Sequence, residues 1–108
     1  MYNKILKVKP SLLSKTELAE KLLELPKWRA HEGHLIRQTI EVKDFEICHS
    51  LFNNIAMRSH LWGHHPRITM NYNKLDLTLT THDIGTQISD IDIKLAKRID
   101  TYVERYSK

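Results

Sequence analysis

Between Ile68 and Thr81 the chain reads ITMNYNKLDLTLTT, and few folds accommodate that pattern. Leu75, Leu77 and Leu79 alternate with Asp76, Thr78 and Thr80, the period of a strand that buries one face. Ile68 and Met70 give a shorter run of the same period, and Asn71-Tyr72-Asn73-Lys74 between them has turn composition. The stretch therefore predicts a β-hairpin. With Tyr72 and Asn73 central in the turn, Met70 faces Leu75, Ile68 faces Leu77, and His64 extrapolates to lie opposite Thr81. With Asn73 and Lys74 central, His65 instead lies opposite His82. Paired residues have Cβ atoms ~5 Å apart, so either register brings the His64–His65 pair close to His82. Pro66 is placed to end the pairing just short of the histidines.

The rest of the chain supplies elements to pack on that hairpin. Ser14-Lys15-Thr16-Glu17 is a capping box opening a helix that runs to Leu25, buries Leu18, Leu22 and Leu25, and stops at Pro26. Trp28 to His31 and His34 to Val42 read as two strands joined at Glu32-Gly33. The second of these has Ile36, Ile40 and Val42 on one face and Gln38 interrupting it. Asp44 is the N-cap of a second helix whose stripe is Phe45, Cys48, Phe52, Ile55 and Ser59, with Leu51 and Ala56 at its edges. Gly63 is the residue just past its end, which puts His60 in the last turn and His64 beyond it. Ser89-Asp90-Ile91-Asp92 forms a second capping box, with Asp92 its carboxylate, and opens a third helix carrying Ile88, Ile91, Leu95, Ile99, Tyr102 and Tyr106. The order α-β-β-α-β-β-α has no parallel crossover unit. It predicts an α+β fold, a four-stranded antiparallel sheet with helices on one face, as a single domain over residues 1–108 with 1–13 as a mobile N-terminus.

Composition excludes several classes. No apolar run approaches the ~18 residues of a membrane span, and no signal-peptide core is present. A lone Cys48 rules out an internal disulfide framework and fits a reducing compartment, so the cytoplasm, or the nucleus, is the expected location. The formal charge is +4, but Lys and Arg are scattered, without a basic arm or zinc-finger spacing. Direct nucleic-acid binding is therefore not expected.

Four of the seven histidines lie between positions 60 and 82, and their residues alone leave three readings open. One is a metal site, from the His60/His64 spacing with His65, His82 and Asp83 nearby. Gly63 and Pro66 break the helix face such a pair needs, and no glutamate base lies between the two histidines. The second is metal-free acid/base catalysis, in which one imidazole holds a proton while another accepts one. The third is ordinary surface histidines, the reading given to His31, His34 and His49.

The pattern His60-x3-His64-His65-Pro66-x5-Tyr72-x9-His82, followed by Asp92, resembles that of the pterin-4a-carbinolamine dehydratases. Trp28, Val42-Lys43-Asp44-Phe45, Leu77-Thr78-Leu79, Thr81-His82-Asp83 and Asp92-Ile93-Lys94-Leu95-Ala96 extend the resemblance over nearly the whole chain. It implies a lyase that removes water from 4a-hydroxytetrahydropterin to give quinonoid dihydropterin, in tetrahydrobiopterin recycling. It implies His64, His65 and His82 as the catalytic set, Pro66, Thr81 and Asp83 as substrate-binding, and His60 and Asp92 as supporting residues. It also implies no metal, no cofactor beyond the pterin substrate, and homodimers or homotetramers. Some relatives serve as dimerisation cofactors of a homeodomain transcription factor, so a non-catalytic dimerisation module is the alternative. The sequence departs from the family in having His60 where relatives usually carry a carboxylate, Ile68 where many have tryptophan, and Gly63 where they have an acid or amide. The loop from His82 to Asp92 is one residue longer than in the animal enzymes.

Overall fold

In the computed structural model, which describes residues 9–106, the hairpin takes the Tyr72-Asn73 register. Met70 pairs with Leu75 and Ile68 with Leu77, and Tyr72 adopts φ 55° in the turn. The strands are β3 (Arg67–Asn71) and β4 (Lys74–Leu79), and the ladder stops at Arg67↔Thr78, one residue after Pro66. Leu75, Leu77 and Leu79 have none of their surface exposed, so the alternating run is the floor of the core.

The other strands are β1 (Arg29–His31) and β2 (His34–Glu41), and the helices are α1 (Lys15–Leu22), α2 (Phe45–Leu61) and α3 (Asp90–Tyr106). The sheet order is β1-β2-β4-β3 with every neighbouring pair antiparallel, leaving β1 and β3 as edges. Cys48, Leu51 and Ile55 of α2 and Leu95, Ala96 and Ile99 of α3 bury against the leucines of β4. This is the α+β architecture that the element order implies.

Gln38 interrupts the apolar face of β2 because the strand is bulged there. Arg37 pairs with Leu77 and Ile40 with Leu75, so Gln38 and Thr39 together face the single residue Asp76. The extra residue inverts the parity of the strand. Leu35 faces the core before the bulge and Ile40 and Val42 after it, while Ile36, expected on the buried face, is only half-buried. Thr39 Oγ1 donates to Asp76 Oδ1 at 2.9 Å across the bulge.

Three other expectations change. Helix α1 ends at Leu22, not Leu25; the chain continues in tight turns in which the Leu25 amide donates to the Leu22 carbonyl, and Leu25 is buried from there. Phe45 is exposed, and the buried stripe of α2 is Cys48, Leu51, Ile55 and Ser59. The Phe45 ring instead stacks on His49, centroids 5.8 Å apart. Residues 11–13, expected to be mobile, pair with 88–90: the Asp90 amide donates to the Ser11 carbonyl, and the Ser11 amide to Asp90 Oδ1. Residues 1–8 of the expected mobile segment lie outside the described residues.

Two side-chain networks tie the sheet to its surroundings. Asp100 of α3 accepts from Trp28 Nε1 at 2.8 Å and from Arg37 at 2.5 Å. At the opposite end, the β1–β2 turn meets the loop after β4. Gly33 has φ 79°, a region in which side chains are strained, and a Cβ there would lie 2.2 Å from the Thr86 carbonyl oxygen. Thr80 Oγ1 donates to the Gly33 carbonyl at 2.7 Å. Substituting Gly33 with alanine is expected to cost about 2 kcal/mol or more, from the left-handed backbone penalty plus the clash. Urea unfolding would measure the shift, and a stability unchanged from wild type would contradict this account.

Candidate active site

The histidine cluster is built where α2 ends, where β4 ends and where α3 begins. Helix α2 closes with Trp62 as C-cap and Gly63 at φ 63°. The Gly63 amide donates to the His60 carbonyl at 3.1 Å, and the His64 amide to the Ser59 carbonyl at 2.9 Å. That pair of bonds is a Schellman motif. Glycine is present at position 63 because the motif needs a left-handed residue there, which accounts for the absence of a side-chain acid or amide. The His64 backbone is thus fixed by the last turn of the helix.

From the other side, Thr81 forms an isolated two-way backbone bridge with Gln87, at 2.9 and 3.3 Å. It closes a loop containing a 3₁₀ turn over His82–Ile84. Ser89 then caps α3. Its Oγ accepts from the Ile91 amide at 3.2 Å, and its own amide donates to Asp92 Oδ2 at 2.9 Å. The Ser89 hydroxyl takes the second amide of the helix rather than the third, while Asp92, the third residue, returns the bond to the cap.

Asp92 joins these elements. It has none of its surface exposed. Oδ1 meets His64 Nε2 at 2.5 Å, and Oδ2 accepts from Thr81 Oγ1 at 2.8 Å as well as from the Ser89 amide. Thr81 Oγ1 and Ser89 Oγ lie 2.7 Å apart. Asp92 therefore has both roles open to it in the sequence: Oδ2 completes the cap and Oδ1 holds the histidine. The expectation that His64 lies opposite Thr81 takes a specific form, since both bond the two oxygens of one carboxylate. A carboxylate acting only as acceptor places the His64 proton on Nε2 and leaves Nδ1 as the nitrogen free to exchange protons.

His65 and His82 are the chain neighbours of His64 and Thr81, and both are exposed. The His65 ring stands edge-on to His60, centroids 5.9 Å apart. His82 Nδ1 lies 3.4 Å from Thr86 Oγ1. Pro66 is half-buried and Asp83 is exposed. The site is thus half inside and half outside: His64, Thr81, Ser89 and Asp92 form a fixed base, and His60, His65 and His82 stand at its rim. Ser89 was missed as a site residue, although its place in a capping box with Asp92 was the available signal. Among the described residues no group of three or more His, Cys, Asp or Glu is placed to hold a metal ion. Burial pushes the Cys48 thiol up, away from nucleophilic use.

Residues 11–102 match the family model described as pterin 4 alpha carbinolamine dehydratase. The chain belongs to this family. It is 40% identical to a Saccharomyces cerevisiae protein named "Putative pterin-4-alpha-carbinolamine dehydratase", over 96% of this chain and 97% of that one. A protein of the same name from a Synechococcus species is 36% identical, over 83% of this chain and 95% of that one. In structure it is similar to a transcriptional coactivator/pterin dehydratase from Brucella melitensis, with a TM-score of 0.80 and 26% identity, over 86% of this chain and 99% of that one. Family and fold together assign the chain the family's chemistry, dehydration of pterin-4a-carbinolamine. No helix among the described residues is long and apolar enough to cross a membrane.

Removing the Thr81 hydroxyl while keeping its shape, Thr81→Val, leaves the Asp92 carboxylate short of one donor. The expected loss is about 2 kcal/mol, the range for a hydrogen bond to a charged group. Urea denaturation would read it, and a neutral result would show that Thr81 does not support Asp92.

Proposed function

We propose that the chain is a hydro-lyase acting on 4a-hydroxytetrahydropterin by histidine acid/base catalysis, with His64, His65 and His82 as the catalytic set. In a carbinolamine one carbon carries both the hydroxyl and the amine nitrogen. Expelling water requires a proton on the departing oxygen, electrons from the nitrogen, and loss of that nitrogen's proton. The C4a–O bond breaks, a C=N bond forms, and the leaving proton and hydroxide make up the released water in net balance. His64 accepts the nitrogen proton, because Asp92 stabilises the imidazolium that results. The exposed pair, His65 and His82, supplies the proton to the hydroxyl and orients the ring, with Pro66, Thr81 and Asp83 lining the pterin's place and His60 braced against His65. No cofactor beyond the pterin is required. The observation that carries this reading is the His64–Asp92 contact at 2.5 Å, made by a carboxylate with no exposed surface.

The edge strands β1 and β3 leave backbone groups unpaired, which supports a homodimer or homotetramer. The product fits tetrahydrobiopterin recycling in the cytoplasm. The Brucella melitensis protein's description as a transcriptional coactivator supports a second reading, a dimerisation cofactor of a transcription factor on the same fold, in the nucleus.

Purified protein added to freshly generated 4a-hydroxytetrahydropterin is expected to accelerate dehydration, followed by ultraviolet absorbance. His64→Ala is expected to lower kcat about 100-fold or more, and Asp92→Asn to lower kcat with little change in KM. A wild-type rate equal to that in buffer would reject the enzymatic reading and leave the cofactor role.

A further inference from the structure

A second cluster lies along the seam between α2 and α3, outside the His64–Asp92 network. Trp62, the C-cap of α2, is 4% exposed. Three cations converge on its ring: Lys94 at 5.0 Å, Arg58 at 5.3 Å and Arg98 at 5.4 Å from the centroid. Arg58 also donates from Nε to the Tyr102 hydroxyl at 3.2 Å, and Arg105 sits 5.4 Å over the Tyr102 ring. Among the described residues, none of these four cations is ion-paired with a carboxylate.

Charges held this close repel, and an aromatic face offsets only part of that repulsion. The Tyr102 hydroxyl reports the resulting field. Its burial pushes it up, yet hydrogen bonds and charge from Arg58 and Arg98 hold it below the usual phenol range. The cations are also ordered in space. Lys94, Arg98 and Arg105 follow one another along about 16 Å of α3, with Arg58 facing them from α2. Guanidinium forks and an ammonium so arranged suit an anion of high charge density with many oxygens. Peptide carboxylates, spaced apart by their backbone, cannot bring comparable charge to one indole ring.

We propose that the Trp62 platform, with Arg58, Lys94 and Arg98, is a binding site for the phosphate chain of a small polyphosphate. Arg105 extends the site toward the C-terminal end of α3. The ring keeps the three side chains gathered, so little of their freedom remains to be lost on binding.

Calorimetric titration of the full chain at low salt tests this, with inorganic tripolyphosphate, a nucleoside triphosphate and inorganic phosphate as probes. Both polyphosphates are expected to bind one site per chain with comparable affinity, and inorganic phosphate at least tenfold more weakly. Lys94→Gln and Arg98→Gln are each expected to weaken tripolyphosphate binding about fivefold, the upper end for one partly exposed ion pair. Lys97→Gln is the control: it removes the same charge from the same helix, but from a lysine paired with Glu24 at 3.1 Å, and should leave affinity unchanged. The proposal is overturned if no saturable binding of tripolyphosphate occurs, or if Lys97→Gln weakens it as much as Lys94→Gln. Binding of the nucleoside triphosphate alone would overturn it as well, since base and sugar would then be what is recognised.

Discussion

A carboxylate shut away from water is expensive unless every oxygen finds a donor, and Asp92 solves this by drawing its donors from three parts of the chain. His64 comes from the end of α2, Thr81 from the end of β4, and Ser89 from the turn that starts α3. Removing any one leaves the others around an under-satisfied charge, so the group behaves as a network rather than as separate bonds. The most demanding polar group of the fold is therefore the one around which the candidate chemistry is arranged. Stability and orientation of His64 are supplied by the same contacts.

The remainder of the architecture keeps those three chain segments together. The buried leucines of β4 fix the strand against both long helices, which sets where Thr81 emerges. The Asp100 contacts to Trp28 and Arg37 fasten the later half of α3 to the sheet side. The rim histidines are less constrained. His65 and His82 inherit their backbone positions from bonded neighbours while their rings reach solvent.

Features set by neighbouring residues were legible in the sequence. The hairpin follows from the alternation and turn composition, with Tyr72-Asn73 one of the two turn centres they allow, the start of α1 from the Ser14–Glu17 box, and the end of α2 from Gly63. Features decided by distant packing were not. Gln38 showed that the β2 pattern was irregular, but only pairing with β4 reveals an added residue opposite Asp76. Phe45 fits the helical period of α2, yet it stays exposed and stacks on His49. Pairing of residues 11–13 with 88–90 depends on where the third helix begins in space. Of the candidate site, the nearness of His64 to Thr81 was visible from hairpin geometry. The bond from His64 to a residue 28 positions away was not, because a helix-opening aspartate has a sufficient local explanation in its own cap.

The Schellman closure of α2 has a consequence for how the family can vary. The His64 amide donates to the Ser59 carbonyl, so its bearing is tied to the winding of the helix. Adding one residue between Asp44 and Gly63 would turn the His pair by about 100° and advance it about 1.5 Å, out of reach of Asp92. The number of residues in α2 is in effect a measuring rod. Loops elsewhere can lengthen, but this helix can change only by amounts that bring the imidazole back to the same compass point.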